Sequence, residues 1–584
     1  MAAALQPVTP AAAAAAAAAA PRASLLAFAP ALTLALFLLP IAAGLIGTWL
    51  PAFGYLPVLG HRDLSLEPWR ELLAVPGLAG SLRVSVVSGL LATAASLALA
   101  LAFLAACHGT RLLAQVRRLL APLLAVPHAA LAIGFAFLVA PSGWLARLAS
   151  PWATGWELPP DIATVQDPYG LALAGGLVLK ETPFLLLMGL AALDQAQAHE
   201  RLAVARSLGY GPVAAWLKTV LPAIYPQIRL PIYAVLAFSL SVVDMAIILA
   251  PATPPPLAVQ VFRWFNDPEL SLRLVAAAGA SLQLLLVIAA ILAWRVLEIA
   301  VARLARAWLT AGGRGGSGRL AALGAGTAML AVFALAGGAL AALALWSLAR
   351  RWRYPAALPD GWSLDAWARQ GDGLVWITGT TAVLALVSAL LALALTLACL
   401  EHEQRRKLHP GAVALWLLYT PLLVPQVAFL FGAQILAVLA GIDGTWPALV
   451  WSHLLFVLPY VFLALADPYR ALDERYARSA LCLGAGAAKV FWRVKLPMLL
   501  RPTLFALAIG VAVSVAQYLP TIFAGGGRFV TLTTEAVALF GGADRRVMGV
   551  YAFLQALLPL VAFAGALAVP AWLYRDRRAL SGRG

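Results

Sequence analysis

Charged side chains are scarce in this chain: Asp, Glu, Lys and Arg make up 11% of its 584 residues, about half the share of an ordinary soluble protein. That scarcity, with 63% hydrophobic residues and a mean hydropathy of +0.89, excludes a soluble globular chain. Alternation with period two is also missing from the Leu- and Ala-rich apolar runs, which argues against a β-barrel. Cysteine is rare: Cys107, Cys399 and Cys482 lie far apart, so neither a disulfide framework nor a metal motif is present. The seven histidines are scattered without H-E-x-x-H or paired-ligand spacing, and no metal site is expected. No G-x-x-x-x-G-K-[ST] occurs, and the GGRGGSGR stretch lacks both the Lys and the strand–helix context of a phosphate loop. The chain therefore carries no ATPase of its own. No catalytic constellation is seen, so an enzyme is not expected. The net charge of +16 comes without a basic patch interleaved with aromatics, which excludes a nucleic-acid partner.

Long apolar runs are abundant. Twelve spans fit the roughly 20 residues a bilayer crossing needs. They lie near 25–50, 80–107, 119–140, 170–194, 228–252, 271–300, 321–349, 374–400, 411–440, 445–468, 502–524 and 546–574. The fold class read from this is an all-α polytopic membrane protein. Residues 1–24 form a low-complexity cytoplasmic tail with an alanine tract, and the run after it is too long for a signal-peptide core. Basic residues collect in alternate loops (Arg111, Arg117 and Arg118; Arg295 to Arg319; Arg405 to Lys407; Arg575, Arg577 and Arg578). The positive-inside rule makes those loops, and both termini, cytoplasmic. Arg350, Arg351 and Arg353 are the exception and fall outside.

One polar loop occurs twice. The first copy runs AVARSLGYGPVAAWLKTVLP from Ala203 to Pro222, the second RSALCLGAGAAKVFWRVKLP from Arg478 to Pro497. In each, a Gly precedes the Pro of a Leu-Pro pair by thirteen residues: Gly209 to Leu221-Pro222, Gly484 to Leu496-Pro497. Other landmarks repeat in the same order. Gly134 lies seven residues past Pro127, and Gly432 seven past Pro425. Pro183-Phe184 matches Pro459-Tyr460, and Ser241-Val-Val-Asp244 matches Ser514-Val-Ala-Gln517. The halves read as parallel six-span modules: module 1 at 25–309 with its loop at 195–225, a flexible Gly-rich linker at 310–320, and module 2 at 321–584 with its loop at 470–500. Each loop suits a helix–turn–helix on the cytoplasmic face. Its Gly ends the first helix at φ > 0, and its Pro takes the first turn of the next.

These loops resemble those of the transmembrane subunits of bacterial binding-protein-dependent ABC importers, whose pattern is Glu-Ala-Ala-x3-Gly-x9-Ile-x-Leu-Pro. Ala203, Ala205, Arg206, Ser207, Gly209, Leu221 and Pro222 fall on that pattern, as do Arg478, Ser479, Ala480, Gly484, Leu496 and Pro497. Ala203 and Arg478 stand where the family has Glu, and Thr219 replaces the Ile. Glu200 and Glu474 lie just upstream. The chain is most similar to fused permeases of the ferric iron, thiamine and polyamine type, and residues 519–546 to thiamine-type members. The resemblance implies an inner-membrane subunit that moves a small-molecule solute by alternating access. It implies two cytoplasmic ATP-binding subunits, which hold ATP and Mg, and an extracytoplasmic solute-binding protein. Thiamine or another small cation is the expected solute. The competing reading is an ion-gradient-driven secondary transporter with two six-helix repeats.

Polar groups at membrane depth face a bundle interior or a cavity. The set here is His128, Lys180, Glu181, Asp244, Gln283, Gln426, Gln434, His453 and Gln517. Asp244 and Gln517 hold matched positions, as do His128 and Gln426. With Glu181 these are the candidates for the translocation pathway, each set against a purely structural hydrogen bond between helices.

Overall fold

The computed structural model describes residues 25–408, 411–542 and 544–575. The tail at 1–24 lies outside them, as do Arg577 and Arg578. The first half contains α1 (Ala29–Ala52), α2 (Leu78–Cys107), α3 (Arg111–Ala125), α4 (His128–Val139), α5 (Leu171–Gln195), α6 (Ala198–Ser207), α7 (Pro212–Ser241), α8 (Asp244–Leu249) and α9 (Leu272–Thr310). The second half opens with α10 (Arg319–Leu348). A two-stranded hairpin, β1 (Ala349–Arg351) and β2 (Gly361–Trp362), follows it. Then come α11 (Gly371–Arg406), α12 (Ala412–Leu423), α13 (Gln426–Leu439), α14 (Trp446–Arg470), α15 (Glu474–Cys482), α16 (Ala487–Met498), α17 (Leu500–Val515), α18 (Leu519–Gly525) and α19 (Arg545–Leu573). Among the described residues ten helices are long and apolar enough to cross a bilayer, or up to twelve spans if each of two bent pairs counts as one. This is the all-α polytopic architecture the apolar runs predict. Helix dominates because hydrocarbon offers no partner to a backbone N–H or C=O.

Four of the expected straight spans are broken. The run at 119–140 divides at Val126-Pro127 into α3 and α4, and the run at 411–440 divides at Val424-Pro425 with a bend of 95°. A proline has no N–H for the helix and its ring displaces the preceding turn. The runs at 228–252 and 502–524 break at matched places without proline, after Ser241 and after Val515. Those breaks put Asp244 at the head of α8 and Gln517 in the gap before α18.

The two halves exchange their first helices. α1 packs on α13, and α10 packs on α4. Thr33 meets Cys399 at 3.3 Å, and the Trp451 indole donates to the Leu36 carbonyl at 2.8 Å. The repeated glycines sit at these crossings. A Cβ on Gly432 would stand 2.0 Å from the Gly44 carbonyl oxygen, and one on Gly134 would stand 2.5 Å from that of Ala339. Thr48 Oγ1 accepts the Gly432 amide at 3.2 Å, tightening the first crossing. Small residues allow this approach, and close packing holds helices together where hydrophobic driving force is absent. Gly432→Val should destabilise the chain by about 1–3 kcal/mol, the usual cost of overpacking. Gly565→Val, with nothing within 4 Å of its added Cβ, should have little effect. Thermal midpoints in detergent check both.

Candidate functional site

The repeated loops fold into two elbows with the same hydrogen bonds. α6 ends at Gly209, φ +83°, whose amide donates to Arg206 at 2.9 Å, while the Tyr210 amide reaches Ala205 at 3.2 Å. α15 ends at Gly484, φ +81°, whose amide donates to Leu481 at 2.9 Å, while the Ala485 amide reaches Ala480 at 3.1 Å. Both are Schellman closures, which need a left-handed residue and so favour Gly. Each Leu-Pro pair opens a regular α-helical stretch, Leu221–Ser241 or Leu496–Met498, with the Pro in its first turn as expected, but helical winding begins earlier. α7 starts at Pro212 and α16 at Ala487, and each passes through a π turn, Trp216–Val220 or Phe491–Lys495, just before the pair. The Leu221 amide bonds Trp216 and the Leu496 amide bonds Phe491, five residues back. The wider turn makes room for a proline ring inside a helix.

Ala203, Arg206, Ser207 and Gly209 are exposed, while Ala205 is buried; Arg478, Ser479 and Gly484 are exposed and Ala480 half-buried. Of the Leu-Pro pairs, Pro222 alone is exposed; Leu221, Leu496 and Pro497 are half-buried. Arg478, which occupies the family's Glu position, is paired with Glu474 at 3.0 Å. Sequence reasoning passed over the residue before each glycine. Leu208 is 59% exposed and Leu483 88%. An apolar side chain is thus held out at the same place in both copies, and the shared Leu-Gly was its signal.

Both elbows lie at one end of the bundle. Arg545, opening α19, sits over the Trp346 ring near the end of α10, so these helices run antiparallel. Gly318, just before α10, packs against Val213 of the first elbow. Tyr574, just after α19, donates to the Pro497 carbonyl of the second at 3.0 Å.

The linker, expected to be flexible, is laid along the first elbow. The Gly211 amide donates to the Arg314 carbonyl at 2.7 Å, and the Lys218 ammonium to the Ala311 carbonyl at 2.6 Å. Lys218 also lies over the rings of Tyr210 and Trp308. Glycine at 211 is required, because a Cβ there would stand 2.1 Å from the Gly316 carbonyl oxygen. Next to this elbow, burial and then Arg206 and His199 hold the His108 imidazole below its ordinary pKa, so it stays neutral at pH 7.

The intramembrane polar residues divide into two groups. Some are structural. His453 bonds Ser514 at 2.8 Å and Thr521 at 3.0 Å, fastening α14 across the break between α17 and α18. Gln283 donates to the Leu240 carbonyl at 3.2 Å. Lys180 turns away from Glu181 and donates to the carbonyls of Leu124 and Val126, at 2.9 and 2.5 Å, which the Pro127 break leaves without helical partners. Of the others, His128 and Glu181 are in contact: His128, its ring tilted against Phe238 with centroids 4.7 Å apart, has Nε2 3.6 Å from Glu181. Asp244 lies within electrostatic range of His128 and of Tyr518, and Glu181 within that of Tyr460. Gln517 spends its amide nitrogen on the Val513 carbonyl at 3.1 Å. Gln426 heads α13 and is half-buried. Among the described residues no His, Cys, Asp and Glu group has metal-holding geometry.

A helical bundle of two like halves, with paired elbows on one face, defines a polytopic membrane protein of the two-module kind. The chain is 34% identical over 520 residues, 88% of its length and 93% of the relative's, to the inner membrane ABC transporter permease protein YnjC of Escherichia coli. Over 164 residues, 26% of its length and 52% of the relative's, it is 30% identical to the diacetylchitobiose uptake system permease protein NgcG of Streptomyces coelicolor. No protein-family model matches it. The chain belongs to the ABC transporter permease family.

Two expectations follow. Lys180→Met should cost about 1–3 kcal/mol, the penalty for stranding buried acceptors, read as a lower thermal midpoint in detergent. Gly211→Val should lift the linker off the elbow and speed tryptic cleavage after Arg314 by about tenfold, as local opening governs proteolysis; a digest followed by mass spectrometry checks it.

Proposed function

We propose that this chain forms the entire membrane pathway of an ATP-driven importer, as a fused pair of permease modules. Each elbow seats one cytoplasmic ATP-binding subunit, which holds ATP and Mg and carries out hydrolysis. An extracytoplasmic solute-binding protein delivers the solute from the other side. The chain sits in the inner membrane with both termini in the cytoplasm. The observation that carries this reading is the pair of elbows: the same left-handed glycine, the same Schellman bonds and the same protruding leucine, twice, on one face. A gradient-driven transporter gives no reason for that duplication.

The solute we propose is a small organic cation of the thiamine kind. Support comes from Glu181 and Asp244, two buried carboxylates at membrane depth, the first 3.6 Å from the His128 imidazole while the neighbouring Lys180 is engaged by backbone carbonyls. Phenols and aromatic faces around them suit a delocalised cation. When ATP closes the motor subunits, the elbows bias the bundle toward one of its two access states.

Uptake of labelled thiamine into vesicles carrying the whole complex, with and without ATP, tests both parts. Gly209→Val with Gly484→Val should leave ATP hydrolysis in place and lower uptake by about tenfold, the loss of roughly 1.4 kcal/mol of coupling. Glu181→Gln with Asp244→Asn should reduce cation uptake by a similar or larger factor with hydrolysis retained. Undiminished ATP-dependent uptake in the first pair would overturn the elbow reading, and in the second the cation reading.

A further inference from the structure

The two elbows are fastened to the membrane helices by different physics. In the first half the packing of the elbow itself is apolar, and the polar tie lies beyond the Leu-Pro pair, where Tyr225 and Arg229 donate to Glu298 of α9 at 3.0 and 3.1 Å. α6 buries Ala198, Leu202 and Ala205, and these join Trp216, Val220, Cys107 and Leu193 in one hydrophobic cluster. In the second half α15 buries no residue. The elbow's buried footholds in the turns that follow are Val490 and Lys495. Lys495 holds the position, just before Leu-Pro, that Val220 holds in the first copy.

Lys495 is 6% exposed, and its ammonium meets a carboxylate of the membrane helix α11. Nζ lies 2.7 Å from Glu401 Oε2 and 2.7 Å from Gln404 Oε1. The Tyr469 hydroxyl of α14 donates to the same Glu401 oxygen, and Arg405 Nε donates to the other at 2.7 Å. One carboxylate therefore joins the elbow's π turn, α11 and α14. Apolar packing is non-directional and tolerates sliding. A buried, fully hydrogen-bonded ion pair is directional, and separating it leaves charges uncompensated.

We propose that the Lys495–Glu401 pair is the transmission joint of the second elbow, carrying its displacement into α11 and α14, whereas the π turn of the first elbow holds the apolar Val220 at that place. Lys495 and Glu401 are positioning residues: they act through the helices they move. The proposal rests on the elbows being the seats of the ATP-hydrolysing subunits.

The test uses the complete complex, purified with its ATP-hydrolysing subunits. Nitroxide labels are placed at Val58→Cys and Leu364→Cys, both exposed and on the face opposite the elbows, in a cysteine-free background. Two quantities are read: the ATP hydrolysis rate, and the change in label–label distance on trapping with ATP and vanadate. The joint is removed without stranding a charge by Lys495→Met with Glu401→Leu. That double variant should assemble and hydrolyse ATP, while the distance change falls to about a third or less of its normal size. Lys495→Arg, which keeps the charge, should restore most of the change. Glu403→Gln with Arg470→Met removes an ion pair that ties α11 to α14 without touching the elbow, and should leave the change intact. The proposal is overturned by a full distance change in the Met/Leu variant, by failure of that variant to assemble, or by Lys495→Arg behaving like Lys495→Met. A chain that recruits no ATP-hydrolysing subunit at all would instead sink the proposed function, a separate outcome visible at purification.

Discussion

Hydrocarbon supplies no hydrogen bonds, so every break in a membrane helix must bring its own. That constraint organises this molecule. At the Pro127 break, Lys180 reaches across from α5 to hold the carbonyls of Leu124 and Val126. At the break after Val515, His453 holds Ser514 and Thr521. The breaks are costly, and they lie where the two halves meet. Because α4 and α8 begin at breaks, His128 and Asp244 sit at helix starts rather than on helix flanks facing lipid. An unbroken bundle of the same composition has no means of presenting them there.

The exchange of first helices follows from the same economy of small residues. Gly134 and Gly432 sit where a neighbouring backbone passes so closely that a methyl group has no room. Each half is therefore completed by the other's leading helix.

Much of this was legible in the residues. The helical membrane class, the two halves and the two elbows follow from apolar runs, basic loops and the paired Gly and Leu-Pro signals. Gly209 and Gly484 adopt the left-handed conformation their spacing predicts. The Leu-Pro pairs open regular α-helix as their residues predict, but the winding ahead of each was missed, because a π turn leaves no local sequence mark. The linker was misread as flexible for a similar reason: Gly-rich composition describes an unconstrained chain, whereas here the missing side chains let its backbone lie against Gly211. The roles of Glu401 and Lys495 were not legible at all, since they lie 94 positions apart and only folding brings them together. Lys180 and Glu181 could be told apart only once the carbonyls of Leu124 and Val126 had a location.

The strap from Ala311 to Gly318 has one more consequence. A transporter assembled from two separate, identical subunits presents identical seats to whatever engages it. Here the strap flanks one elbow, at Gly211, Val213 and Lys218, while Gly486, the counterpart of Gly211 in the other, has nothing within 4 Å of an added Cβ. Two copies of a single engine docking on this chain would meet unlike surroundings, so fusion of the halves into one polypeptide gives the assembly a built-in left and right.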